Sequence, residues 1–416
     1  MDSRTTIVQK CNRVLKYLSR ISLIITLLLF VSTSIYYAQK YDYYIVDEVH
    51  YISASKLIIE NFFPGKHWVW RYNIPKEYIH NNYLNLEHPP LGKYLIIISL
   101  LLLGDYPLAW RLPGIILGSL TIILIYYIGR ELGEDIAALI SVIAVLVDPM
   151  INSMSRIAML DIYLTFFVTL AAYFIINKKD LILASIAAGL AISTKLNGII
   201  ILIILIFIIM LTDYCHIIRL EDVKDLLEIS KLEFLKGISN ALHAIYSFLL
   251  RLGEIILCMF IIAAIYLLIN IPFIIKFGFM EWIDLQIWMV NVHAHFRASH
   301  PCEAPPISFK PPYLNWLFNI KPFILTYDFS ACMNICISVL MLISSILFAI
   351  LCLKKRKIID IRILIIYLWI WLGYTFYIIL YIIGRSMQFI YYMTPLMPAV
   401  HLSVGILPLL VVELIE

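Results

Sequence analysis

Four stretches of this chain, residues 21–37, 199–211, 255–275 and 361–383, run almost without a charged side chain. A helix needs about 20 such residues to cross a hydrocarbon core of about 30 Å, and no fold in water hides several runs of this kind. Transmembrane β-strands are excluded by the pattern, because a barrel strand alternates polar and apolar residues whereas these runs are uniformly apolar. The spans are therefore helices, and the chain reads as an all-α polytopic membrane protein.

Hydrophobic residues make up 62% of the 416 and charged residues 14%, the latter well below the roughly 25% of soluble domains. A net charge of +4 gives no reason to expect a nucleic-acid partner; the placement of the positive charges is more informative. Arg4, Lys10, Arg13, Lys16 and Arg20 precede the first apolar run, and no small-residue cleavage site follows it, so it reads as a retained span rather than a signal peptide. The seven cysteines lack metal-ligand spacing and read as small apolar fillers. A Cys302–Cys332 bond on the outer face is the alternative for that pair.

Positive clusters mark the cytoplasmic side of short loops. Arg130, the pair Lys178 and Lys179, and the cluster 354–357 are placed there together with the N-terminal tail. Spans near 21–38, 107–129, 135–150, 160–177, 181–194, 198–214, 252–275, 332–353, 361–383 and 390–412 then alternate, giving about ten transmembrane helices with both termini cytoplasmic. The segment 94–103 is too short to span, and counting it would turn the basic clusters outward; it reads as an interfacial or re-entrant helix. The whole of 1–416 reads as one membrane-embedded domain of a multi-pass plasma-membrane protein. Three polar stretches interrupt it. The first, 40–93, is on the outer face and opens with a helix over 48–61. The second, 213–254, is cytoplasmic and amphipathic. The third, 276–330, is outer and rich in His, Trp and Pro.

Asp47-Glu48-Val49-His50 follows the first span. Neighbouring carboxylates repel, and one with a raised pKa is suited to take a proton from a hydroxyl; the structural alternative is a turn whose acids cap the next helix. Glu87-His88-Pro89-Pro90-Leu91-Gly92-Lys93 forces a rigid bend and sets Lys93 at the level of lipid phosphates, with plain interfacial snorkelling as the competing role. Arg111 needs an anion at its depth, and a lipid phosphate is one, with interfacial anchoring as the alternative. Arg156 and Asp161 read as partners of each other, and Lys195 ends a short span. Arg385 and Gln388 open the final span and share an outer vestibule with Asp47, Lys93 and Arg111. His293 and His295 supply two ligands, too few for a metal site. The unusual polar residues at span ends all gather on one face.

The motifs Asp47-Glu48 with His50, His88-Pro-Pro-Leu-Gly-Lys93, Arg111-x-Pro113, Ser155-Arg156 with Leu160-Asp161, Lys195-x-x-Gly198 and Gln388-Phe-Ile-Tyr-Tyr392 occur in order over most of the chain. In this the sequence resembles the protein O-mannosyltransferase family, in a short form without the extra lumenal domain. The resemblance implies the GT-C type glycosyltransferase fold, with interfacial helices on the outer face, and inverting transfer of mannose from a polyprenyl (dolichyl) phosphate to Ser/Thr hydroxyls. It implies Asp47 as general base with Glu48 beside it, and Arg111 on the donor phosphate with Lys93 and Arg385 as helpers. His50, His88, Arg156, Asp161, Lys195, Gln388 and Tyr392 become supporting or substrate-binding residues.

The outer loop with His300-Pro-Cys302 and Asn315-Trp316 departs from the family's aromatic-rich ending, which leaves a protein or a glycan as the acceptor. The expected partners are the polyprenyl-phosphate sugar donor, that acceptor and the lipid bilayer. The scheme requires no cofactor and leaves room for a divalent cation. Two other readings stand beside it: a related transferase acting on a lipid or surface glycan, and a transporter, against which the lack of repeat symmetry counts.

Overall fold

The computed structural model describes residues 3–64, 68–211, 233–295, 316–320, 322–355, 360–385 and 388–415. Nearly all of this is helix. Seven helical stretches are long and apolar enough to cross a membrane: Lys10–Lys40, Pro107–Val147, Leu160–Lys178, Tyr246–Phe277, Ile335–Lys354, Ile361–Ile382 and Ile390–Ile415. Their outward faces carry large apolar side chains that water would penalise and lipid accepts, such as Ile24, Leu28, Phe260 and Leu268.

The first helix, α1, runs over Ser3–Lys40. After a short extended loop come α2 (Glu48–Phe62), the single turn α3 (Lys76–His80) and α4 (Leu91–Leu103). The sequence expectation for a helix over 48–61 thus differs from α2 by one residue. The next helix, α5 (Pro107–Val147), is nominally continuous, but Gly133 and Glu134 leave helical geometry inside it. The break falls between the expected spans 107–129 and 135–150 and divides α5 into those two.

Beyond it lie α6 (Pro149–Ser155), α7 (Leu160–Tyr173) with a π-helical turn over Phe174–Lys178, α8 (Leu181–Thr194) and α9 (Ile199–Leu211). At 14 and 13 residues, α8 and α9 rise only about 20 Å. They are packed within the bundle, α8 against α7 and against α10 (Glu233–Phe277). α11 (Phe279–His295) and a two-residue antiparallel ribbon, β1 (Phe323–Ile324) with β2 (Ser330–Ala331), cover one end. The chain closes with α12 (Ile335–Lys355), α13 (Ile361–Ile382), a 3-10 turn over Ile390–Leu396, α14 (Met397–Gly405) and α15 (Leu407–Ile415). Pro395, Pro398 and Pro408 remove backbone donors here, which accounts for the segmented last span.

α5 is the central post, touching α1, α7 and α14. A Cβ at Gly405 would lie 2.6 Å from the Ala137 carbonyl oxygen, so only glycine lets α14 approach α5 this closely. The connections sort onto two ends. At one end Ser19 donates to Asp135 at 3.0 Å, Arg130 pairs with Asp135 at 3.2 Å, and Arg362 pairs with Glu131 and Asp360 at 2.8 and 2.7 Å. The loops 41–47, 81–90 and 195–198, with Arg385 and residues 388–392, meet at the other. The amphipathic segment expected over 213–254 falls largely outside the described side chains, as do His300, Cys302 and Asn315; Cys332 is buried.

Candidate active site

A cavity of about 360 Å³ opens among these loops, lined by Asp47, His50, Lys195, His293, Arg385 and Tyr391, with aromatic and polar neighbours. Each chemical group arrives there for a local reason.

Asp47 follows Val46, whose φ of +50° is unusual for a β-branched residue and costs about 1–3 kcal/mol. The forced turn makes two adjacent carboxylates point apart. Asp47 reaches the cavity, where the Tyr391 hydroxyl donates to Oδ2 at 3.3 Å. Enclosure by protein pushes its carboxyl above the usual carboxylate range, against the lowering fields of His50 and Lys195. Glu48 turns away into the core. It accepts from Arg111 Nε at 2.8 Å and Nη2 at 2.7 Å, and from the backbone amides of Ile45 and Ala158 at 2.8 and 2.7 Å.

Lys195 projects from the end of α8 because the chain folds sharply through Leu196–Gly198. A Cβ at Gly198 would sit 2.7 Å from the Ala191 carbonyl carbon, so the turn depends on glycine. Lys195 Nζ donates to both Asp161 oxygens, at 2.8 and 2.9 Å, and lies 4.7 Å from the Tyr392 ring centroid.

Arg385 is set by α11. Its Nη1 donates to the His293 carbonyl at 2.9 Å and to His293 Nδ1 at 3.1 Å, while His293 Nε2 bonds the Glu87 carbonyl at 2.6 Å. These bonds fix the imidazole as the neutral Nε2–H tautomer. Burial, then Arg385, lowers its pKa to about 4. With both nitrogens engaged it cannot ligate a metal, and among the described residues no three His, Cys, Asp or Glu are arranged so that they could hold a metal ion. His88, whose ring lies 5.1 Å from that of His293, is also held neutral by burial and by surrounding cations. His50 Nδ1 meets the Tyr78 hydroxyl at 2.7 Å, which gives α3 its role.

Several residues predicted for the site are elsewhere. Arg111, expected on a phosphate, is fully buried and has no donor to spare: beyond Glu48 it donates to the carbonyls of Ala38, Tyr41 and Tyr43 at 2.8, 2.7 and 2.8 Å. Lys93, expected at the lipid phosphates, is also fully buried, and its ammonium turns back to the carbonyls of Asn85 and His88, bracing the loop that carries His88. Gln388 donates to the Tyr377 carbonyl at 2.9 Å and supports the backbone beside Arg385 instead of facing the cavity. Arg156 and Asp161 are not partners. Asp161 pairs with Lys195, and Arg156 faces a different cavity.

The cavity also brings in Tyr51, Tyr83, Asn85, Glu87 and Phe389. Glu87 Oε2, Asn85 Oδ1 and His88 Nδ1 are buried without a hydrogen-bond partner among the described residues. Two of the three are obligate acceptors, and the third becomes one in the Nε2–H tautomer. Glu87 stands next to the His-Pro-Pro motif, which was the signal for it; Tyr51, Tyr83 and Asn85 carry none.

Residues 87–222 match the family model described as dolichyl-phosphate-mannose-protein mannosyltransferase. Over this segment the chain is similar to the protein O-mannosyltransferase family. Within the same family, a polyprenol-phosphate-mannose–protein mannosyltransferase of Corynebacterium glutamicum is 42% identical over 94 residues, and one of Mycobacterium tuberculosis is 33% identical over 94 residues. Each match spans 22% of this chain and 18% of the relative. Among solved structures, ArnT from Cupriavidus metallidurans in the apo state aligns at a TM-score of 0.48 and 17% identity, covering 91% of this chain and 59% of that one. The protein O-mannosyltransferase Pmt1-Pmt2 complex of S. cerevisiae aligns at 0.37 and 19%, covering 67% and 35%.

Proposed function

We propose that this protein is an inverting mannosyltransferase of GT-C type that moves mannose from a polyprenyl phosphate to a hydroxyl of a protein on the outer face of the membrane. The observation that carries the reading is one cavity holding a carboxylate of raised pKa together with two cations, Asp47 with Lys195 and Arg385. It stands beside a segment similar to the mannosyltransferase family.

In this scheme the acceptor oxygen attacks the anomeric carbon, the bond from that carbon to the phosphate oxygen breaks, and the hydroxyl proton passes to Asp47. The lipid phosphate departs with one more negative charge than it had as a diester. Lys195 and Arg385 meet that charge in a site poor in water, where fixed cations act strongly. This reassigns the phosphate from Arg111, whose five N–H groups are all engaged inside the protein, and from Lys93, which is fully buried against the Asn85 and His88 carbonyls and does not line the cavity. The acceptor atoms of Glu87, Asn85 and His88 suit sugar hydroxyls, which would donate to them. A base with a raised pKa accepts a proton more readily than an ordinary carboxylate.

The distribution of positive charge supports the outer placement of the cavity. Arg13, Lys16, Arg20, Arg130, Lys178, Lys179 and Lys354 belong to the end opposite the cavity, and the positive-inside rule makes that end cytoplasmic. Both termini are then inside.

The test is transfer from polyprenyl-phosphate mannose to a Ser/Thr peptide by the purified protein in vesicles. Asp47→Asn should lower the rate by roughly 10²–10⁴. Wild-type turnover in that variant ends the assignment of the base, and transfer to glycans or lipids but not peptides ends that of the acceptor.

A further inference from the structure

A second cavity, of about 890 Å³, lies on the far side of the segment 156–161 and shares no lining residue with the first. Its cation is Arg156, held between the rings of Tyr37 and Phe329 at 4.5 and 5.4 Å. No carboxylate among the described residues pairs with it. The two acids in the wall are engaged: Asp148 accepts from the amides of Met150 and Asn334 at 2.9 and 3.0 Å, and Asp328 pairs with Lys40 and accepts from the Tyr41 hydroxyl. Arg156 Nε, Ser153 Oγ and Asn319 Oδ1, all from wall residues, are buried without hydrogen-bond partners among the described residues. Such atoms each cost about 1–3 kcal/mol unless something supplies a bond.

The depth of this cavity narrows what could fill it. Tyr36, Tyr37, Tyr41 and Tyr43 crowd the end of α1, the aromatic pattern found where headgroups meet the hydrocarbon. About two turns deeper on α1, Leu29 lines the same cavity, as does Ile335 at the start of α12, and the two are 47% and 52% exposed on the apolar surface. The cavity therefore offers a cation at headgroup level and apolar walls beneath it.

We propose that this cavity binds an anionic phospholipid, with its phosphodiester on Arg156, its headgroup hydroxyls on Ser153 and Asn319, and its acyl chains along α1 and α12. The site is distinct from the catalytic cavity and does not depend on the mannosyl-transfer reading. The bidentate geometry of a guanidinium suits a phosphate, and a neutral zwitterion gains less because its own ammonium competes.

The experiment is thermal unfolding of the full chain in detergent with added phosphatidylglycerol or phosphatidylcholine. Phosphatidylglycerol should raise Tm by several degrees more than phosphatidylcholine; Arg156→Gln should abolish the difference and Arg156→Lys should keep part of it. Equal protection by both lipids, or full selectivity in Arg156→Gln, overturns the proposal. So does an equal shift with inorganic phosphate alone, which would mean a site for a bare anion. Independently of any variant, phosphatidylglycerol carrying a photoreactive acyl chain should label the wild-type protein within 29–33 or 333–335. Labelling confined to other helices also overturns it.

Discussion

The lock around Arg111 and the cavity wall around Lys195 are built from the same parts, a buried cation facing a carboxylate, and they differ in what is left over. Arg111 has five N–H donors, and two go to Glu48, one to the Ala38 carbonyl in the last turns of α1 and two to carbonyls of the loop after it. Lys195 has three, of which Asp161 takes two. A saturated cation can only hold structure. One with a hydrogen in reserve, at the wall of a cavity, can also meet a substrate. The rigid lock fixes the direction of Glu48, and through it the opposite direction of Asp47.

Breaking the lock should give the largest change. Arg111→Gln strands a buried carboxylate and should cost about 3–5 kcal/mol of stability, read as a lower unfolding temperature. If it folds as well as the wild type but binds donor poorly, the division between lock and cavity is wrong. Arg385→Gln should do the reverse, with kcat/KM down about 10²-fold and Tm nearly unchanged. A sharper test uses pH. The Asp47 pKa is raised, so the working carboxylate is lost as pH falls through a value above the ordinary 3.8. The acid limb of the kcat/KM profile should lie above that value, and the residual activity of Asp47→Asn should lack this limb. The smallest effect is expected of Tyr78→Phe, which removes the His50 partner and should slow turnover by less than tenfold.

The membrane class and the helix boundaries were readable because they depend on local hydropathy. The α2 start at Glu48 and the α5 break at Gly133–Glu134 both coincide with polar interruptions in the sequence. The partners of the charges were not readable. Asp161 lies five residues from Arg156 in sequence yet pairs with Lys195, because α7 and α8 pack side by side. Arg111 and Lys93 looked like phosphate ligands because nothing in the sequence says that Glu48 and the carbonyls of 38, 41 and 43 will take every hydrogen of Arg111, or that Lys93 will be buried against the carbonyls of 85 and 88. The 47–48 pair stood out in the sequence, but which member faces the cavity follows from the turn at Val46 and the hold of Arg111 on Glu48.

Those short helices have a consequence for the bilayer. α8 begins beside Asp180, at the end grouped with the basic loops, and reaches Lys195 after 14 residues, a rise of about 21 Å. A helix of that length, starting at one surface of a core of about 30 Å and running along its normal, stops roughly 9 Å short of the other. A donor phosphate engaged by Lys195 must sink below its resting plane, or the bilayer must thin around the protein to meet it. Under the proposed scheme, membrane thickness would then bear on turnover through the length of one helix.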